Sequence, residues 1–274
     1  MKPSNTDTEA LGARSIADFG EQWTHFRDNP GYYGSVALFA DLIGPFFVPD
    51  QFRNAKVADI GSGTGRIVRM LAQSGAARIY AVEPSAAMEV LEENTADLAA
   101  RISYRHQPGD QFTPDEPLDF VVSMGVLHHI PDPKPVVERM RAALRPGGHA
   151  IVWLYGREGN EMYLALAGPL RRITTRLPHR ALLVLCRVLD VPMRGYVTAC
   201  QFLRFPLWRY MRNHLGRLTP EIRRLTIYDQ LNPRWAKYYT RAEAIALLAE
   251  CGFVDVRCHH RHGYSWLVVG RAPG

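Results

Sequence analysis

Five short apolar runs alternate with stretches of helical spacing between Lys56 and Gly156, and this alternation restricts the fold more than any other feature. The runs are KVADIG (56–61), ARIYAVE (77–83), ISYRHQ (102–107), LDFVVSM (118–124) and GHAIVWLYG (148–156). Strands that are apolar along their length are buried on both faces, and helical crossovers between them make neighbours parallel. Helices are expected over 65–74, with Ile67, Val68 and Leu71 facing inward, over 86–101, and over 133–145, where Pro146, Gly147 and Gly148 end the last. After Thr240 come a helix (241–253) and the runs VDVRCHH (254–260) and SWLVVGR (265–271). Those two runs are too close for a crossover helix, so they should pair antiparallel.

Residues 157–239 interrupt the pattern. They are helical in spacing, rich in aromatics, and punctuated by Pro169, Pro178, Pro192, Pro206, Pro220 and Pro233. From Arg157 to Arg241, sixteen basic residues stand against five acidic ones, whereas the whole chain carries a net +6, so the remainder is slightly acidic. The expected organisation is an N-terminal tail and capping helices (1–54), a ligand-binding core (55–156), a basic helical lid (157–239) and completion of the core (240–274). The opening, MKPSNTDTEALGARS, lacks the apolar centre of a secretory leader and reads as a frayed tail. No apolar run approaches bilayer length. Cys186, Cys200, Cys251 and Cys258 show no paired spacing, which suits reduced thiols and a cytoplasmic location. CHHRH (258–262) splits its side chains between two strand faces, and no second ligand pair stands at zinc spacing, so no metal is expected.

The stretch VADIGSGTGR (57–66) sits where the first strand ends, which in such sheets is where ligands bind. Glycines let main chain approach a ligand, and the following helix N-terminus favours negative charge. Glu83, about twenty positions on, can accept from both hydroxyls of a ribose. A dinucleotide site needs G-x-G-x-x-G, but Gly61, Gly63 and Gly65 followed by Arg66 give G-x-G-x-G. Asp59 suits a cationic amino group better than a pyrophosphate. No Gly-Lys-Ser/Thr follows, which excludes a P-loop.

Together with AVEPSAAM, GDQF, LDFVVSMGVLHHIPDP and LRPGGHAIVW, this stretch resembles, in order and spacing, the class I S-adenosylmethionine-dependent methyltransferases. The likeness is to the small-molecule branch that includes ubiquinone, menaquinone and natural-product methyltransferases, and it covers roughly residues 55–155, with weaker support over 240–272. It implies an α/β Rossmann-like sheet of seven strands in the order 3-2-1-4-5-7-6, a helical lid after strand five, and S-adenosyl-L-methionine as cofactor. Residue by residue, the resemblance implies that Asp59, Gly61 and Gly63 hold the methionine end, with Ser62 and Gly65 also in the cofactor site. Glu83 would take the ribose, Pro84 or Ser85 would lie beside the adenine, Asp110 would accept from the adenine amino group with Gln111 adjacent, and Ser123 and Met124 would border the sulfonium.

Methyl transfer is an in-line displacement, so positioning supplies most of the catalysis. A base is needed only where the nucleophile arrives protonated, and His128 and His129 are the candidates, with His129 preferred. Trp23, His25, Tyr32 and Tyr33 before the sheet, with Tyr155 and Tyr239, are the expected substrate-side residues, since aromatic faces attract a sulfonium. Arginines of the lid invite an acidic acceptor, and its apolar stretches suit an amphiphilic one. Basic amphipathic helices with Trp and Phe also offer a peripheral membrane face. An RNA-directed methyltransferase and a cofactor-binding protein that transfers no methyl are the alternatives. Against nucleic acid, strand four ends in Ser-Met-Gly-Val rather than an Asn/Asp-Pro-Pro-aromatic motif, and no Pro-Cys nucleophile is present. Nothing in the sequence specifies an oligomer.

Overall fold

A computed structural model describes residues 5–232 and 235–274. Strands β1 (Lys56–Ile60), β2 (Arg78–Val82), β3 (Ile102–Arg105), β4 (Leu118–Met124), β5 (Leu144–Tyr155), β6 (Val254–Arg261) and β7 (Ser265–Arg271) form one sheet in the order β3-β2-β1-β4-β5-β7-β6. β7 runs antiparallel to both β5 and β6, and the other pairs are parallel. The strand order is therefore the expected one. The reversal lies between β1 and β4, so the turn after Ile60 and the segment after Met124 open into the same crevice.

Alternation along the strands sends successive side chains to opposite faces. Ala58, Val121 and Val152 join one core, with Val137 and Met140 of α5 (Lys134–Ala143) and Leu248 of α10 (Arg241–Ala249). Val57, Val122 and Ile151 join the other, with Phe39 of α2 (Val36–Ile43) and Val68 and Leu71 of α3 (Arg66–Gln73). The lid is built from α6 (Glu161–Thr174), α7 (His179–Phe202), α8 (Trp208–Asn213) and α9 (Pro220–Leu231). Among the described residues no helix is long and apolar enough to cross a membrane.

Three expectations need correction. The polar opening is not a frayed tail: α1 spans Asn5–His25, while residues 1–4 lie outside the described part. Its Ile16, Phe19 and Trp23 line the central cavity and give the helix a face to bury. The helix expected over 86–101 breaks into α4 (Ala87–Asn94) and a 3-10 turn (Ala96–Arg101). There Thr95 donates from Oγ1 to the Leu91 carbonyl at 2.7 Å, a bond that competes with helix continuation. β5 begins at Leu144, ahead of the expected Gly148, because a bulge between Leu144 and His149 absorbs Pro146 and Gly147, the latter at φ 76.

The lid is held by a buried ion pair. Arg223 of α9 donates from Nε to Asp190 Oδ1 at 2.5 Å and from Nη2 to Oδ2 at 3.0 Å, with both side chains at about a tenth exposure. Replacing Asp190 by Ala leaves a buried guanidinium uncompensated and is expected to cost about 3–5 kcal/mol. Denaturant unfolding checks this, and Asp190→Leu with Arg223→Met should recover most of the loss.

Candidate active site

The turn after β1 is bare for reasons supplied by the protein itself. Gly61, Gly63 and Gly65 all take positive φ (78, 51 and 82), a region that L side chains rarely adopt. A Cβ at Gly61 would stand 2.5 Å from Val126 Cγ2, and one at Gly65 2.7 Å from Leu91 Cδ1 of α4. At Gly63 it would meet Trp23 Nε1 of α1 at 3.3 Å. Gly61, Ser62 and Gly63 line the cavity, whereas Gly65 is not among its lining residues and packs on α4.

Glu83, at the end of β2, is buried beneath this turn. Its Oε2 accepts from the Gly63 N–H at 2.8 Å, and its Oε1 accepts from the Ser85 N–H at 3.0 Å and the Ser85 hydroxyl at 2.5 Å. The carboxylate is fixed by three donors and keeps further lone pairs for a ligand in the cavity it lines. Asp59 lies behind the turn at 1% exposure, and its Oδ2 has no hydrogen-bond partner among the described residues. Burial pushes its carboxyl up to about 7, opposed by a Ser62 hydrogen bond and the Arg66 charge. An orphaned buried carboxylate oxygen behind a turn that has no Cβ at 61 and 63 is what a cationic amino-acid end would complete.

A cavity of about 1190 Å³ runs from this turn to the lid. Ligand pockets usually hold roughly 300–1,000 Å³, so the space admits a cofactor and an acceptor together. Pro84, Asp110, Gln111 and Met124 also line the cavity. Ser123 is fully buried and donates to the Ile60 carbonyl at 3.2 Å, tying β4 to β1.

His129 lines the cavity between its two ends. Its Nδ1 lies 3.0 Å from the Trp235 carbonyl, which can only accept, so Nδ1 carries the proton and Nε2 keeps its lone pair. Burial pushes its pKa down, with the Asp229 charge opposing. His128 is fully buried and stacks on Tyr155 at 3.8 Å between ring centroids. Burial holds it well below the usual imidazole range, so it serves as a neutral ring under Tyr155.

The far end is aromatic. Tyr155, Tyr163, Tyr210, Tyr238 and Trp153 line it, while Trp23 and Tyr33 line the cavity beside the glycine turn, Trp23 against Gly63 and Tyr33 under Arg66. Tyr155 donates to Asp229 Oδ2 at 2.9 Å, and Gln22 of α1 donates to Asp229 Oδ1 at 3.0 Å. One carboxylate of α9 thus joins lid, sheet and N-terminal helix. Sequence reasoning missed Asp229, whose signal was a lone acid within LTIYDQL (225–231). Three expected substrate residues stand outside the cavity wall. His25 is exposed on α1 and lies by the Glu21 carbonyl, Tyr32 lies under Arg217 at 3.6 Å, and Tyr239 is buried beneath Lys237. Of the stretch NPRWAKYYT (232–240), Pro233 and Arg234 lie outside the described residues. No described arginine of the insert lines the cavity, although the Arg171 charge of α6 reaches His129, Tyr163 and Tyr238 on its wall. Among the described residues no cluster of His, Cys, Asp and Glu could hold a metal ion.

Residues 58–152 match the family described as a methyltransferase domain. A ubiquinone biosynthesis O-methyltransferase of Cupriavidus pinatubonensis is 29% identical over 116 residues, covering 41% of this chain and 46% of the relative. One from Salmonella arizonae is 27% identical over 127 residues, covering 41% and 48%. The chain thus spans about half the length of the curated relatives it matches. In fold it is similar to a Burkholderia thailandensis 1,6-didemethyltoxoflavin-N1-methyltransferase with bound S-adenosylhomocysteine, at TM-score 0.55 and 16% identity over 99% of this chain and 92% of that one. Magnesium protoporphyrin IX methyltransferase from Synechocystis gives TM-score 0.50 and 15% identity over 92% and 83%. At these identities the structural likeness speaks for the fold.

Proposed function

We propose, from the premise that this chain is a class I S-adenosylmethionine-dependent methyltransferase, that it methylates a protic O–H or N–H on a small, flat, largely apolar acceptor. The observation that carries the reading is one cavity joining the glycine turn to an aromatic chamber, with the His129 ring between them. The cofactor supplies an electrophilic methyl on a sulfonium when bound. Asp59 would neutralise its ammonium group, Glu83 would accept from its ribose hydroxyls, and Asp110 would accept from its adenine amino group.

On the acceptor side the chain supplies position first. Tyr155, Tyr163, Tyr210 and Tyr238 wall the chamber, a shape suited to a planar ring. His129 Nε2 takes the acceptor's proton as the O–C or N–C bond forms, and Nδ1 remains on the Trp235 carbonyl, so the resulting imidazolium is hydrogen-bonded at once. The Asp229 carboxylate, part of the same chamber, favours that imidazolium. An acidic acceptor gripped directly by lid arginines is not part of this reading, because no described arginine of the insert is among the residues that line the chamber.

Methyl-labelled S-adenosylmethionine, incubated with the purified protein and extract separated into small-molecule, lipid, RNA and protein fractions, tests the proposal. Label in a phenolic or N-heteroaromatic small molecule is expected. Label confined to RNA overturns it, as does cofactor binding without transfer to any fraction or to a panel of phenols and N-heterocycles.

Asp59 adds a proton-linkage prediction. The carboxyl ionises near 3.9 when unfolded and near 7 in the free folded protein. The folded state therefore holds the extra proton between those values, and stability falls as pH rises through that window. A bound ammonium favours the ionised form, so cofactor binding at pH 6 should release a proton. Calorimetry in buffers of different ionisation enthalpy reads the release, which Asp59→Asn should abolish.

A further inference from the structure

We propose that the outer face of α7, with its flanking segments, docks on an anionic lipid bilayer. Val184, Val188, Val191 and Phe202 of α7 are 57%, 61%, 70% and 84% exposed. At about 100° per residue their spacing of four, three and eleven residues aligns them in a single stripe. Arg180, Arg187 and Arg194, all exposed, run along one flank of it. Pro192, also exposed, stands on the other flank and lines the cavity. Met162 and Ile173 of α6, and Leu203 and Phe205 beyond α7, add further exposed apolar side chains before and after it.

Arg180, Arg187 and Arg194 form no ion pair among the described residues, although Arg187 lines a groove with Glu221 and Asp28, and each of the insert's five acids has another contact. Asp190 pairs with Arg223 and Glu221 with Arg224. Asp229 is held by Tyr155 and Gln22. Glu158 accepts from the Arg241 N–H and Glu161 from the Gly159 N–H.

A row of exposed cations beside an exposed apolar stripe matches a headgroup layer over its acyl boundary. Soluble proteins rarely leave such a patch in water. An RNA backbone would meet the arginines but leave the Val–Phe stripe wet, so the bilayer fits both halves of the face. The helix lies on the surface, since no described helix can span it. Docked this way, the Pro192 edge of the cavity faces the membrane side, from which an apolar acceptor can enter.

The test is sedimentation of the full chain with vesicles of phosphatidylcholine, with and without phosphatidylglycerol. Binding only where phosphatidylglycerol is present, weakening with salt, is the expected result. Val188→Glu with Phe202→Glu, and separately Arg180→Glu with Arg187→Glu, should each lower partitioning about ten-fold or more. Both double variants should keep the circular dichroism spectrum and calorimetric S-adenosylmethionine affinity of the parent, which separates a failed surface from a failed fold. Equal binding to both vesicle types, or variants that sediment like the parent, overturns the proposal. Retention on RNA without vesicle binding also overturns it, as does a dimer that Val188→Glu dissociates while vesicles bind neither form.

Discussion

Replacing Glu83 by Ala is expected to weaken S-adenosylmethionine binding about a hundred-fold. Two hydrogen bonds from ribose hydroxyls to a charged acceptor are lost, each worth about 1.5–3 kcal/mol, and about 2.7 kcal/mol corresponds to a hundred-fold in affinity. The substitution also strips the Gly63 N–H and the Ser85 hydroxyl of their acceptor inside a buried turn. Glu83→Gln separates the two effects. Its single carbonyl oxygen can serve Gly63 or Ser85 but not both, and its amide donates where a hydroxyl needs an acceptor, so an affinity between parent and Ala is expected. Calorimetric titration with S-adenosylmethionine measures all three. An Ala variant within a few-fold of the parent would remove Glu83 from the cofactor site.

The second large effect concerns His129. With a protic acceptor, His129→Ala should lower kcat by about 10²–10⁴-fold, the usual contribution of a positioned base, with a small change in KM. The pH profile of the parent distinguishes a base from a packing ring. Burial sets the ring's pKa below its ordinary 6.5, so the ring is neutral at pH 7 and competent there. Activity should be flat above neutrality and fall as pH drops through that lowered value. The same sign governs stability. His128 and His129 are both buried neutral, the unfolded chain takes up protons below about 6.5, and the fold therefore weakens as pH falls below it. A variant that keeps the parent's kcat would leave the proton to another acceptor.

The sheet was readable because its signal is local. Apolar runs, crossover spacing and the short gap between 260 and 265 specify seven strands and the antiparallel pair without reference to anything distant. One wall of the crevice was readable for a related reason: Glu83, Pro84 and Met124 sit at strand ends and Asp110 in the turn after β3, so topology alone carries them to one cavity. The acceptor side was not. A lid helix in isolation does not tell which of its faces turns inward, and the insert's arginines, read as reaching into the cavity, lie off its wall. Asp229 becomes meaningful only when α1 and β5 arrive beside it, more than seventy residues away in the chain. Tyr239 illustrates the reverse error: an aromatic near the site whose ring completes the core instead.

The three glycines of the turn carry a consequence for how this chain can change over time. Each answers to a different neighbour: Gly61 to Val126, Gly63 to Trp23, Gly65 to Leu91 and Thr95. What looks like one motif is thus three separate contracts, signed with the loop after β4, with α1 and with α4. A lineage that accepts a side chain at 65 must first shrink position 91 or 95 and also bear a left-handed backbone, and the same holds for 61 with 126. Substitutions at these pairs should therefore appear together among descendants, and single replacements should be purged even where no ligand is bound.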